Sequence, residues 1–309
     1  MEILRDFKFA KRSYKFRIPK FIILIPLFFL SGLAGADFGR AKGDFIYPVG
    51  VAVDAQGNVY VSEYGNDRIQ VFDENVEVVR IWGAYGHGPG QFDEPSGLAI
   101  DAQGNVYVCD TENHRVMKFD ALGKFLVSIG GFGSEPGQFN EPYGVAVNRQ
   151  GHVFVTDRGN NRVQVFDGSG NLVLIWGSQG MESGQFDEPA GIAVERSGNI
   201  LVVDTDNSRV QRFTSDGRYL MSFGTWGDRE GELSTPTAMA TAPNGNIYVL
   251  DTGNDRVQEY DSTGSFLSTW GKTGKNPGEF RFPLGLACDR EGNVFVIDTG
   301  NHRIQRFSP

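Results

Sequence analysis

From residue 48 onward the chain is written in short apolar runs separated by clusters of glycine, aspartate and asparagine. One stretch shows the grammar. Gly97-Leu98-Ala99-Ile100 is uninterruptedly apolar, and the turn Asp101-Ala102-Gln103-Gly104-Asn105 follows it. Val106-Tyr107-Val108-Cys109 is rich in β-formers, and Asp110 to His114 turns the chain into Arg115-Val116-Met117-Lys118-Phe119. Asp120-Ala121-Leu122-Gly123 turns it again, into Phe125 to Ile129, before a glycine-rich loop from Gly130 to Phe139. Runs this short, with period-2 alternation and turn residues at each end, predict four antiparallel strands and no helix of ordinary length.

The pattern repeats. Pro48, Pro95, Pro142, Pro189, Pro236 and Pro283 are each 47 residues apart, with no insertion or deletion between them. Gly57, Gly104, Gly151, Gly198, Gly245 and Gly292 keep the same register, as do Asn66, Asn113, Asn160, Asn207, Asn254 and Asn301 and the six arginines from Arg68 to Arg303. A four-stranded meander of this length, repeated six times, predicts an all-β, six-bladed β-propeller. Blades are expected to start near residues 48, 95, 142, 189, 236 and 283 of a domain covering 37–309. Gly50, Gly97, Gly144, Gly191 and Gly285, with Ala238 in the fifth unit, suit inner strands crowded around an axis.

These residues resemble the NHL-repeat family of β-propellers. The likeness lies in the start Pro95-Ser96-Gly97-Leu98-Ala99, the turn Asp101 to Asn105, the hairpin Asp298-Thr299-Gly300-Asn301-His302-Arg303-Ile304-Gln305-Arg306-Phe307 and the loop from Trp82 to Phe92. It covers Phe38 to Pro309 and implies a closed ring of six blades around a channel. It does not imply one activity, because members include RNA-binding modules, sensor domains, partner-binding platforms and an amidating lyase. The positions that match the lyase's metal-binding histidines are here Val49, Ser96, Tyr143, Ala190, Thr237 and Leu284, so that activity is not expected.

A closed ring needs its last blade completed, and the chain ends at Pro309, before a fourth strand of the sixth unit. The equivalent strand would fall at residues 31–35, where Ser31, Gly32 and Gly35 empty the packing positions. The expectation is therefore a sixth blade of three strands with an open edge. Residues 1–36 read as an export signal: seven basic residues among the first 20, an uncharged stretch from Phe21 to Ala36, and the triplet Ala34-Gly35-Ala36. An uncleaved membrane anchor over residues 21–36 is the alternative. The signal reading makes the propeller an exported protein, periplasmic or extracellular; the alternative anchors it to a membrane.

Composition sharpens this in three places. Glycine is 41 of 309 residues, which the repeated turns require, and the two cysteines exclude a disulfide-dense scaffold. The net charge of −9 conceals an imbalance: the first 20 residues hold seven of the 29 basic and two of the 38 acidic side chains, leaving the remainder at −14. A body so acidic does not fit nucleic acid, whose phosphates need a basic face.

Repeated columns read as structure, so function is sought where a column breaks. Asp110, Asn113, Arg115 and their equivalents, with Glu63 in the first unit, read as hairpin-holding residues. One broken column carries Glu94, Glu141 and Glu188 in three consecutive blades, against Thr235, Phe282 and Tyr47 in the others. A second carries Phe38, Tyr85, Phe132 and Trp226, with Gln179 and Thr273 in the remaining places, and Tyr143 is expected near the channel mouth. The acidic column is read as a cation- or basic-partner-attracting rim or as plain solvated surface, the aromatic column as a binding surface or as inter-blade packing. The four histidines are dispersed, and no nucleophile elbow, phosphate loop or metal-ligand spacing occurs. No cofactor or metal is expected. The reading favoured is a non-enzymatic platform presenting its loops to a protein, glycan or cell-envelope ligand, and the alternative is a hydrolase or lyase with a metal-dependent site at the channel mouth.

Overall fold

The computed structural model describes residues 39–308, and within them it is a ring of six antiparallel sheets. The first has the strands Pro48–Val53, Val59–Glu63, Arg68–Phe72 and Val78–Trp82, hydrogen-bonded in chain order from the axis outward. Five sheets have four strands. Among the described residues the sixth has three, Gly285–Cys288, Val294–Asp298 and Arg303–Phe307, the expected open blade. Residues 1–36, with the proposed signal, and Phe38 lie outside the described residues.

Glycine decides how closely the inner strands approach. A Cβ on Gly50 would stand 2.1 Å from the Ser96 carbonyl oxygen, and one on Gly144 would stand 2.3 Å from that of Ala190. Real side chains never come so near, so each inner strand presses its backbone against the next and leaves a channel of only about 70 Å³. In blades five and six the inner strand is shorter and starts at Ala238 and Gly285, two residues after the repeat proline.

The core is not central but lies in the seams. One apolar cluster joins Tyr107, Cys109, Val116 and Ile129 of blade two to Val145, Val153 and Phe166 of blade three. The same pattern recurs around the ring, and the cluster of Phe45, Val51, Val61 and Phe72 with Phe295, Ile297 and Ile304 seals blade six to blade one. Each fully buried large side chain contributes about 1.5–3 kcal/mol relative to its exposed state. Ring closure therefore rests on the same apolar contacts as every internal seam.

Candidate functional site

The hairpins between second and third strands and the loops between blades share one face, and a repeated polar network holds them. In blade two the buried Asp110 carboxylate accepts from the Asp93 N–H at 2.7 Å, from Asn113 Nδ2 at 2.9 Å and from Arg115 Nε at 2.7 Å. Arg115 then donates to the carbonyls of His87, Gly88 and Gln91, which pins the loop leading into its own blade. Blade one does the same with a longer acid: Glu63 accepts from Ile46 N–H, Asn66 and Arg68. These columns are scaffold, and they set the loops rigidly.

The next residues are displayed by an unusual backbone. Glu94, Glu141 and Glu188 have φ of 55°, 54° and 50°, the left-handed region. Their N–H groups donate to Asp67 Oδ1, His114 Nδ1 and Asn161 Oδ1 at the hairpin tip of the preceding blade, at 3.0, 3.1 and 2.8 Å. A non-glycine residue in this conformation costs about 1–2 kcal/mol, which the tip contact offsets. Tyr47, Thr235 and Phe282 have the same positive φ, so the rim divides into an acidic arc and an arc carrying two aromatic rings.

Two residues that the sequence reading passed over complete the acidic arc. Four blades carry threonine at the first hairpin position (Thr111, Thr205, Thr252, Thr299), whereas blades one and three carry Tyr64 and Arg158. Burial, with the Glu94 carboxyl beside it, pushes the Tyr64 phenol's pKa up. The Glu94 carboxyl is also held above its ordinary value, first by partial burial and then by Glu112, Asp93 and Asp67 beside it. Arg158 donates to Glu188 and stacks over the Tyr143 ring, 5.5 Å from its centroid. The structure thus gathers Tyr143 and Glu188 around Arg158, and Glu94 around Tyr64. Both departures from threonine were visible in the sequence as a broken column.

The loop aromatics stand elsewhere on this face. Tyr85, Phe132 and Trp226 are 65%, 71% and 79% exposed, so they are not inter-blade packing. Each is fixed by a parallel bridge to a fully buried partner: Tyr85 to Phe92, Phe132 to Phe139, Trp226 to Leu233. Phe132 lies against His114 with ring centroids 4.7 Å apart, while Tyr143 lines the channel itself. Among the described residues no three His, Cys, Asp or Glu side chains are placed to hold a metal ion. No helix among them is long and apolar enough to cross a membrane.

The NHL repeat pattern matches residues 45–72, 92–119, 139–166, 186–213 and 280–307. The chain belongs to the NHL-repeat family. The pattern passes over the fifth unit, which has Leu233 where the five other units have phenylalanine and Ala238 where they have glycine, yet folds into the same four strands. No curated protein sequence matches this NHL propeller.

Among solved structures it resembles a Bacteroides thetaiotaomicron protein of unknown function, with TM-score 0.67 and 20% identity over 87% of this chain and 70% of that one. A gluconolactonase from Xanthomonas campestris gives TM-score 0.65 and 18% identity, covering 86% and 87%. A Staphylococcus aureus virginiamycin B lyase gives 0.60 and 14%, covering 85% and 94%. At these identities the likeness is one of fold.

Proposed function

We propose that this NHL propeller is a non-enzymatic binding platform whose loop face engages a protein partner with a basic surface. The observation that carries the reading is the set Tyr85, Phe132 and Trp226, large rings held open to solvent on rigid loops. Exposed aromatics on a fixed scaffold bind at low entropic cost, and their faces attract Lys and Arg side chains. Glu94 and Glu141 supply complementary charge on the same face, beside Glu188 in its pair with Arg158. The narrow channel supports a surface interaction too, since pockets for small organic ligands typically run to ~300–1,000 Å³.

A second reading has its own observation. The channel mouth holds a partly desolvated carboxyl at Glu94 and an arginine–carboxylate pair at Arg158 and Glu188, which are groups of the kind hydrolases and lyases employ. The gluconolactonase and lyase neighbours by fold agree with it.

Titration followed by Trp226 emission separates the possibilities, using a lysine- and arginine-rich peptide and a neutral hexose oligosaccharide as probes. The platform reading expects peptide binding that weakens with salt and disappears when Glu94, Glu141 and Glu188 are all changed to Gln. Salt-independent oligosaccharide binding would move the reading to a glycan ligand. Silence toward both probes would count against a platform on this face.

A further inference from the structure

On the opposite face, the turns between first and second strands of all six blades surround an open depression of about 1120 Å³. The second residue of each turn lines it: Ala55, Ala102, Arg149, Arg196, Pro243 and Arg290. This column is broken as sharply as the acidic rim is, with three small or cyclic residues and three arginines. Arg149, Arg196 and Arg290 are exposed, and none makes a hydrogen bond or ion pair among the described residues. They stand on blades three, four and six, so the guanidinium groups ring one side of the depression while Ala55 and Ala102 leave the other side open.

Four carboxylates also line this mouth, as many as the arginines, and each is held within its own turn or by Arg212. Asp54 Oδ1 accepts the Gln56 and Asn58 N–H groups at 2.9 and 2.8 Å, and its Oδ2 accepts from Asn58 Nδ2 at 2.7 Å. Asp101 and Asp289 repeat the arrangement in their own turns. Glu195 is bound to Arg212, which also lines the depression. Arg212 is only 7% exposed, and its Nε has no partner.

We infer that this depression is a binding site for a small oligoanion, a molecule carrying two or more phosphate or carboxylate groups. Guanidinium forks match both groups bidentately, and arginines on separate rigid turns favour a ligand with several charges over a single one. Against a strongly acidic body, this lining balances its four carboxylates with four arginines, and the three exposed ones are those without a partner. The site lies on the face away from Trp226 and the acidic rim, and its occupancy does not depend on the platform reading.

The test is calorimetric titration of the propeller with inorganic tripolyphosphate and, separately, with citrate. It uses wild type, the triple variant Arg149→Gln/Arg196→Gln/Arg290→Gln, and Glu94→Gln/Glu141→Gln/Glu188→Gln as an opposite-face control. Binding of tripolyphosphate alone identifies phosphate as the preferred group; binding of both anions identifies charge number. In either case the arginine variant should bind at least about tenfold more weakly, the scale of a lost charge-assisted contact, with the control unchanged. All three arginines are exposed, so the variant should melt like wild type and a loss of binding is not a loss of fold. No binding of either anion by wild type, or unchanged affinity in the arginine variant, overturns the inference.

Discussion

His302 Nδ1 accepts the Tyr47 N–H at 3.2 Å, so a side chain from the last hairpin holds the backbone that opens the first blade. The contact is the ring-closing copy of the one that joins His114 to Glu141 inside the chain. Beside it, Thr299 Oγ1 donates to the Pro48 carbonyl at 2.8 Å, as Thr252 does to Pro283. Closure of this propeller thus uses the ordinary inter-blade device, with 251 residues of sequence between donor and acceptor.

Removing that device should be measurable. Thr299→Val deletes a buried donor and leaves the Pro48 carbonyl without it, an expected cost of about 1–3 kcal/mol in urea unfolding. A cost near zero would mean that the apolar seam alone closes the ring.

Closure should also weaken in acid. Burial and the nearby Arg281 hold the His302 pKa below its ordinary value, and the neutral ring is the form whose Nδ1 accepts from Tyr47. A depressed folded value means the contribution is complete above ~6.5, the unfolded value, and is lost as pH falls through the folded one. His302→Asn should keep the contact, since Asn161 makes it in blade three, while removing this histidine's share of the pH dependence. Melting temperatures of both proteins between pH 7.5 and 5 check this: the wild type should lose more.

The hairpin carboxylates should be the most sensitive positions of the scaffold. Asp251 is buried and binds Arg256, Asn254 and the Ser234 N–H, and Arg256 is buried as well. Asp251→Ala strands a buried guanidinium, for which a loss of about 3–5 kcal/mol is expected by chemical denaturation. Arg256→Lys should recover little, because a lysine cannot reach the carbonyls of Asp228, Arg229 and Glu232 together as the guanidinium does.

Much of this architecture was legible in the chain. The 47-residue period forces six equal units, and Asp110, Asn113 and Arg115 sit where a hairpin needs them. What the period could not show was direction. Glu94 and Glu188 read as an open acidic row, but Tyr64 and Arg158, in the hairpin turns of the preceding blades, lie beside them, and only the packing of one blade on the next brings those together. The aromatics were ambiguous between packing and display because the parallel bridges that hold Tyr85, Phe132 and Trp226 outward are backbone features without a residue signature. Arg149, Arg196 and Arg290 were hidden by their turns, whose Asp and Gly chemistry explains the turn without saying which side chain faces the axis.

The platform reading is tested most directly by affinity capture from an extract of the source cells and their envelope. Wild type would be compared with Trp226→Ala and with Glu94, Glu141 and Glu188 all changed to Gln, each checked first for unchanged melting. The expected result is a basic protein retained by wild type, released by salt and lost from both variants. Equal retention of the same proteins by all three, or nothing retained by wild type, would contradict it.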